Sequence, residues 1–174
     1  MKDITVRKLK TTYGELLLGT YEGKICLCDW ASRSIRSRID RRIQTGLNAV
    51  YREGDSPELR ELEQQLNEYF RKERTEFELP LLTVGTDFQK SVWEALSEIR
   101  YGQTRTYSDL AEMTGHPKAV RAAGSANGAN AISIIIPCHR IIGKNGSSGG
   151  YAGGISTKRK LLALEGLPLL NQGD

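Results

Sequence analysis

Two short stretches early in the chain, Ile4–Leu9 and Glu15–Tyr21, carry the apolar pattern of strands. Glu22-Gly23 is a tight-turn dipeptide, so Lys24–Trp30 is expected to return antiparallel to the second stretch. The apolar period then lengthens to four. Ile35, Ile39 and Ile43 predict a helix over roughly 32–45. Ser56-Pro57 is a cap-then-proline helix start, and Leu59, Leu62, Leu66 and Phe70 form the buried stripe of the helix it opens.

The pattern changes character around residues 79–87, and the chain beyond them reads as mainly helical. Phe88, Val92, Leu96 and Ile99 share one face of a helix over about 87–99, with Asp87 as its expected cap. Tyr101-Gly102-Gln103 breaks it. Thr106 starts another helix, with Asp109 three residues on as an approximate capping box and Leu110, Ala111 and Met113 as its apolar residues. Gly115 ends that helix, and Pro117 is expected in the first turn of the next, over Lys118–Ala126. Ile132–Ile136 reads as a short buried strand, and Thr157 as the cap of a last helix over Lys158–Leu164 that ends at Glu165-Gly166. The expected class is α+β. A small N-terminal α/β domain with an antiparallel sheet (1–85) is followed by a mainly helical C-terminal domain with a helix-turn-helix (86–174).

Composition narrows the picture. The 174 residues are long enough for a real core, and no stretch approaches the roughly 18–20 apolar residues of a membrane helix. The N-terminus lacks the apolar run of a secretory signal, so a cytoplasmic location is expected. Net charge is +4; residues 1–85 hold 15 basic and 14 acidic side chains, residues 86–174 hold 10 and 7. Such a balance fits nucleic-acid binding and equally many enzymes. The run Arg33, Arg36, Arg38, Arg41 and Arg42 reads as a solvated helix face that is also able to meet phosphate. Three cysteines and two histidines argue against a disulfide framework and against a metal site. Cys26 and Cys28 read as small apolar residues of a half-buried strand.

The candidate chemistry lies at Pro137-Cys138-His139-Arg140. A thiol and an imidazole stand side by side there, and a thiolate near neutral pH needs such a base or a nearby positive charge. A glycine-rich loop comes next, Gly143 to Gly154, and Tyr151 is the one large residue of Gly149–Gly154. Glu165, in a last helical turn where an acid opposes the dipole, is a candidate partner for His139. The helix over 118–126 is built of Ala119, Ala122, Ala123, Gly124, Ser125 and Ala126, with Arg121 as the long side chain at its middle. Its thinness suits either close helix packing or a groove of DNA.

Ile136–Ile142 closely resembles the active-site signature of the O6-alkylguanine-DNA alkyltransferases. The resemblance runs in order through Phe88–Trp93, Thr104–Ala111, Pro117–Asn130, Gly150–Gly154 and Leu161–Gly166, about half the chain. It implies a ribonuclease-H-like N-terminal domain and a helix-turn-helix that binds the minor groove of double-stranded DNA and flips the damaged base into a pocket. It further implies direct-reversal repair, with irreversible single-turnover transfer of an alkyl group from O6-alkylguanine, and also O4-alkylthymine, to Cys138.

By the same resemblance His139 takes the thiol proton through a water, Glu165 orients His139, Tyr107 donates to guanine N3, and Asn130 braces the active-site turn and His139. Arg121 fills the gap left by the flipped nucleotide, with Thr106, Ala122, Ser125 and Ala126 along the DNA. Tyr151, Ala152, Gly153, Ile141 and Pro137 line the base pocket. Neither cofactor nor metal is expected, since the zinc ligands of some members are missing. A monomer is expected, able to cooperate along DNA and nucleoid-associated in a bacterium. Three other readings remain open: a non-catalytic protein that binds the lesion and flags it for another pathway, a transcription factor, and a cysteine hydrolase. An intact Cys138 speaks against the first, and a helix built on Ala119, Ala122, Ala123 and Gly124, which do not serve as base readers, against the second.

Overall fold

Residue-by-residue alternation builds the first sheet. Strands β1 (Lys2–Thr11), β2 (Gly14–Tyr21) and β3 (Lys24–Trp30) pair antiparallel in succession. Ile4, Val6, Leu16 and Leu18 turn inward, while β3 is buried along Ile25–Trp30 on both faces. The β2–β3 turn is Glu22-Gly23, at φ 48° and 79°. Two successive positive φ values match the right-handed twist of the paired strands.

The computed structural model describes residues 1–168. It forms two compact units, Met1–Gly85 and Thr86 onward. In the first, β4 (Ala49–Glu53) joins β1 in parallel, giving the order β3-β2-β1-β4, so the sheet is mixed. This strand escapes the sequence pattern because it is five residues long and only Ala49 is buried. Helix α1 (Arg36–Leu47) intervenes, with Ile39 and Ile43 buried as expected. It starts later than residue 32, and Arg33 and Arg36 are not on a solvated face. Both reach the fully buried Asp29, at 3.1 and 2.8 Å, where a carboxylate needs paired donors. Arg38 and Arg41 are exposed.

Helix α2 (Pro57–Phe70) opens at Ser56, whose hydroxyl accepts from the Leu59 N–H. Tyr69, not Phe70, completes its buried stripe with Leu59, Leu62 and Leu66.

In the second unit α3 (Asp87–Leu96) is capped by Thr86 rather than Asp87. Thr86 is extended, its hydroxyl accepts from the Gln89 N–H, and the Gln89 side chain accepts from the Thr86 N–H in return. Strand β5 (Arg105–Thr106) leads into α4 (Tyr107–Met113), where Thr106 and Asp109 form the reciprocal box expected of them. Met113 is exposed. Pro117 does not sit in the first turn of the next helix. The Ala119 N–H bonds to the His116 carbonyl, closing a separate turn, and α5 runs Val120–Gly128. The indole of Trp93 in α3 donates to the Ala126 carbonyl at 2.9 Å, pinning α5 to α3.

Residues 132–136, buried except for half-buried Ile135, form no strand. The Ile135 N–H bonds to Ser133 O around Ile134 at φ 73°, and Ile136 N–H bonds to Ile132 O. A positive φ at a β-branched residue persists only where the surroundings hold it. Asn130 does so: its amide oxygen accepts from Ile132 N–H at 3.0 Å and its NH2 donates to Ile136 O at 2.9 Å. Strand β6 (Ile141–Ile142) pairs in parallel with β5. Finally α6 (Ile155–Leu164) is preceded by Gly154 at φ 91°; Thr157 lies inside the helix rather than capping it. Among the described residues, no helix is long and apolar enough to cross a membrane.

Candidate functional site

Pro137, at φ −81° and ψ 63°, closes a three-residue turn in which the Cys138 N–H bonds to Ile136 O at 2.8 Å. The chain then makes one tight helical turn, Cys138–Arg140, before β6. Its three residues are all buried, Cys138 at 3% exposure and His139 at 0%. The thiol therefore sits at the end of a braced, strained turn rather than on a flexible loop.

His139 Nε2 lies 2.7 Å from Glu165 Oε2. Glu165 closes α6 and is itself buried. Its carboxylate also accepts from Arg140, Nε to Oε1 at 2.9 Å and Nη2 to Oε2 at 3.1 Å, and from the Gly102 N–H at 3.3 Å. The second ring nitrogen, Nδ1, is buried with no hydrogen-bond partner among the described residues. Burial lowers the basicity of His139 below its usual value, against the opposing pull of Glu165, and the charges of Arg140 and Lys158 lower it further. Burial alone would raise the Glu165 carboxyl, but the hydrogen bonds and charges of His139 and Arg140 hold it well below the usual range. Of these two partners Arg140 is the one that keeps its charge when His139 is neutral. An ionised Glu165 beside a neutral His139 is thus the resting state.

Tyr107, the first residue of α4, stands between two glycines. A Cβ on Gly124 would come 3.4 Å from its ring, and one on Gly149 would come 2.5 Å from its hydroxyl. Gly149 also has φ 63°, so this approach requires glycine twice over. Burial and the neighbouring Cys138 raise the Tyr107 phenol, which stays a neutral donor despite a backbone hydrogen bond at Gly150. The Tyr151 ring meets His139 edge-on, with centroids 6.4 Å apart. Ala152 and Gly153 are half-buried beside Tyr151 in sequence, while Pro137 and Ile141 are buried. Thr106, whose hydroxyl caps α4, is hydrogen-bonded through β5 to Ile142, two residues beyond Arg140.

On α5 the exposed row is Arg121, Ala122 and Ser125; Ala126 is 2% exposed and faces the core. Position 126, four beyond 122, lies at the edge of that face, where α3 packs and the Trp93 indole bonds its carbonyl.

Three features of the site have no role assigned to them from the sequence. Arg140 is buried, and its Nη1 donates to Ile99 O at 2.6 Å. The Tyr101-Gly102 turn, which reads as a plain helix breaker, supplies an N–H to Glu165 and an aromatic face 5.9 Å from Arg140. Lys158, at 0% exposure, donates to the carbonyls of Ile141, Ser148 and Gly150, fastening the glycine-rich loop to the strand after the cysteine. Its place among helix residues gives it the look of a surface lysine.

The same chain matches the 6-O-methylguanine DNA methyltransferase DNA-binding domain over residues 87–167 and the ribonuclease-like domain of the same proteins over residues 4–83. It is 55% identical over 107 residues to the methylated-DNA–protein-cysteine methyltransferase of Methanosarcina acetivorans, spanning 62% of this chain and 69% of that protein. It is 44% identical over 149 residues to the constitutive protein of that name from Bacillus subtilis, spanning 83% and 84%. A crystal structure of Mycobacterium tuberculosis OGT in complex with DNA superposes with a TM-score of 0.79 at 38% identity, covering 92% of each chain. A buried Cys-His-Glu set behind a helix-turn-helix is therefore found in a chain that resembles these proteins along nearly its whole length, and the chain belongs to the 6-O-methylguanine DNA methyltransferase family.

Proposed function

We propose that this protein repairs alkylated DNA by direct reversal, moving the alkyl group of an O6-alkylguanine onto the sulfur of Cys138. The observation that carries this is the buried His139–Glu165 pair next to Cys138, with His139 Nδ1 left unpartnered among the described residues. A neutral imidazole held this way accepts the thiol proton. The thiolate attacks the alkyl carbon in line, the S–C bond forms as the C–O6 bond breaks, and the electron pair leaves on guanine. Tyr107, kept protonated by burial, donates to that leaving base. The thioether has no route back to a thiol in this arrangement, so each molecule acts once.

DNA lies against the exposed row Arg121, Ala122 and Ser125 of α5 and the start of α4 at Thr106. Small side chains there permit close approach to a minor groove, and Arg121 is long enough to occupy the place of a base turned out of the stack. Tyr151, Ala152, Gly153, Ile141 and Pro137 line the pocket for that base. The second unit carries both DNA contacts and chemistry, and a monomer suffices for one event.

The test is the mass of the intact protein after incubation with duplex DNA containing O6-methylguanine. One methyl group per molecule, located on Cys138 and absent in Cys138→Ser, is the expected result. Tight binding with no gain in mass would overturn the transfer reading and leave a lesion-binding protein.

A further inference from the structure

The carboxylate of Glu165 faces two different kinds of donor. One is His139 Nε2, which carries a proton in only one neutral tautomer; the other is the guanidinium of Arg140, which is always charged. We infer that Arg140 is a positioning residue that locks the tautomer of His139, keeping the proton on Nε2 and the lone pair on Nδ1. This rests on the reading of His139 as the base for Cys138 and adds what makes it one.

Arg140 is held from both ends. Its Nη1 donates to Ile99 O, its Nε and Nη2 fork onto the two carboxylate oxygens, and its charge lies 5.9 Å from the Tyr101 ring. A rigid fork of this kind fixes both the place and the ionisation of its carboxylate. An ionised carboxylate only accepts, so the His139 nitrogen facing it at 2.7 Å must donate. Nδ1 is then bare, and it is the ring atom that no described protein group occupies.

Without the guanidinium, the buried Glu165 carboxylate loses the charged fork that meets both of its oxygens. Two rearrangements relieve that. Glu165 can take a proton and donate it to Nε2, which moves the ring hydrogen to Nδ1. Alternatively the ring can hold both protons as imidazolium. In either state Nδ1 carries a hydrogen and cannot accept one from Cys138. The other charged or titratable groups facing His139 are Lys158 of α6, Cys138 and the Tyr151 ring. Lys158 donates to three backbone carbonyls. Arg140 is the charged group whose fork meets both oxygens of the carboxylate facing the ring.

The experiment is nitrogen–proton correlation of the histidine rings in 15N-labelled protein at neutral pH. The chain has two histidines, and exposed His116 is readily told from buried His139. The expected wild-type signal for His139 is a neutral ring protonated at Nε2. In Arg140→Met the proton appears on Nδ1, alone or with Nε2, and single-turnover transfer slows about 10²-fold, the scale of a lost general base. Arg140→Lys, which keeps a charge beside the carboxylate, retains the wild-type tautomer and most of the rate. Wild-type His139 protonated at Nδ1 would overturn the inference. So would a slowed Arg140→Met with an unchanged tautomer, which marks a packing role. Should Arg140→Met fail to fold, an Nδ1 proton in Arg140→Lys or in the wild type is equally decisive. Alkyl uptake by wild-type Cys138, weighed in the same samples, keeps the two ideas apart: uptake with an unlocked tautomer defeats this inference alone, and no uptake defeats the reading beneath it.

Discussion

Glu165 closes α6 at the end where a carboxylate opposes the helix dipole, and there its Oε2 meets His139 Nε2 at 2.7 Å. An acid set against local propensity and sealed from water is held by its tertiary partners. Glu165→Gln keeps an acceptor for the ring but removes the charge and leaves Arg140 buried with a neutral partner. Transfer is expected to slow roughly 10²-fold in single-turnover assays. DNA affinity, read by anisotropy, should stay near that of the wild type. A parallel loss of DNA affinity would show that the charge serves docking rather than chemistry.

Acidification should act on this pair in two stages. Burial holds His139 below its ordinary 6.5, so as pH falls past 6.5 the unfolded chain binds a proton that the folded protein refuses, and stability falls. The Glu165 carboxyl is held below its ordinary 4.5 by its hydrogen bonds with His139 and Arg140, against the push of burial. Its contribution is present above about 4.5 and lost as pH drops toward its folded value. Urea midpoints measured from pH 8 to 4 should decline below about 6.5 and more steeply below about 4.5. The acid limb of the transfer rate should lie below 6.5. A midpoint unchanged between pH 7.5 and 5.5 would contradict a buried neutral His139.

Arg121 is exposed on α5 amid alanine, glycine and serine, apart from the buried Cys-His-Glu set. Arg121→Ala is expected to weaken repair of duplex DNA about tenfold or more, some 1.4 kcal/mol, while reaction with free O6-benzylguanine is spared. Equal losses on the two substrates would remove its role in holding a flipped nucleotide.

Gly149→Ala puts a methyl group 2.5 Å from the Tyr107 hydroxyl at a backbone φ of 63°. The expected destabilisation is about 1–3 kcal/mol, with a fall in transfer rate as the phenol is displaced. Adding Tyr107→Phe removes the closest clash and should recover part of the stability but none of the rate. Recovery of both would show that Tyr107 contributes packing only.

Much of the molecule is legible in one dimension because it depends on local chemistry. The meander of β1 to β3, the Ser56 and Thr106 caps and the stripes of α1 to α3 arise from period and capping residues that act within a few positions. The Pro137-Cys138-His139-Arg140 run announces its chemistry for the same reason, since thiol and imidazole are neighbours in the chain. Where the pattern misleads, a partner outside it decides. Apolar Ile132–Ile136 looks like a strand, but the side chain of Asn130 takes the hydrogen bonds a ladder would have used. Arg33 and Arg36 look solvated until Asp29, on a neighbouring strand, turns them inward.

The sequence by itself determined the β1–β3 meander, most of the helices, the candidate thiol and the thin helix with its single arginine, because propensity, periodicity and residue chemistry are properties of neighbouring positions. The sequence also offered His139 and Glu165; only the tertiary structure brought Arg140, Lys158 and the Tyr101-Gly102 turn to them. The Glu165 carboxylate is 26 residues from His139, and Arg140 bridges it to Ile99, 41 residues away in the other direction. Lys158 and the Tyr101-Gly102 turn joined the site only when burial removed water as their alternative partner. Inside the protein each donor must find an acceptor that folding brings to it, and no spacing along the chain records which one that will be.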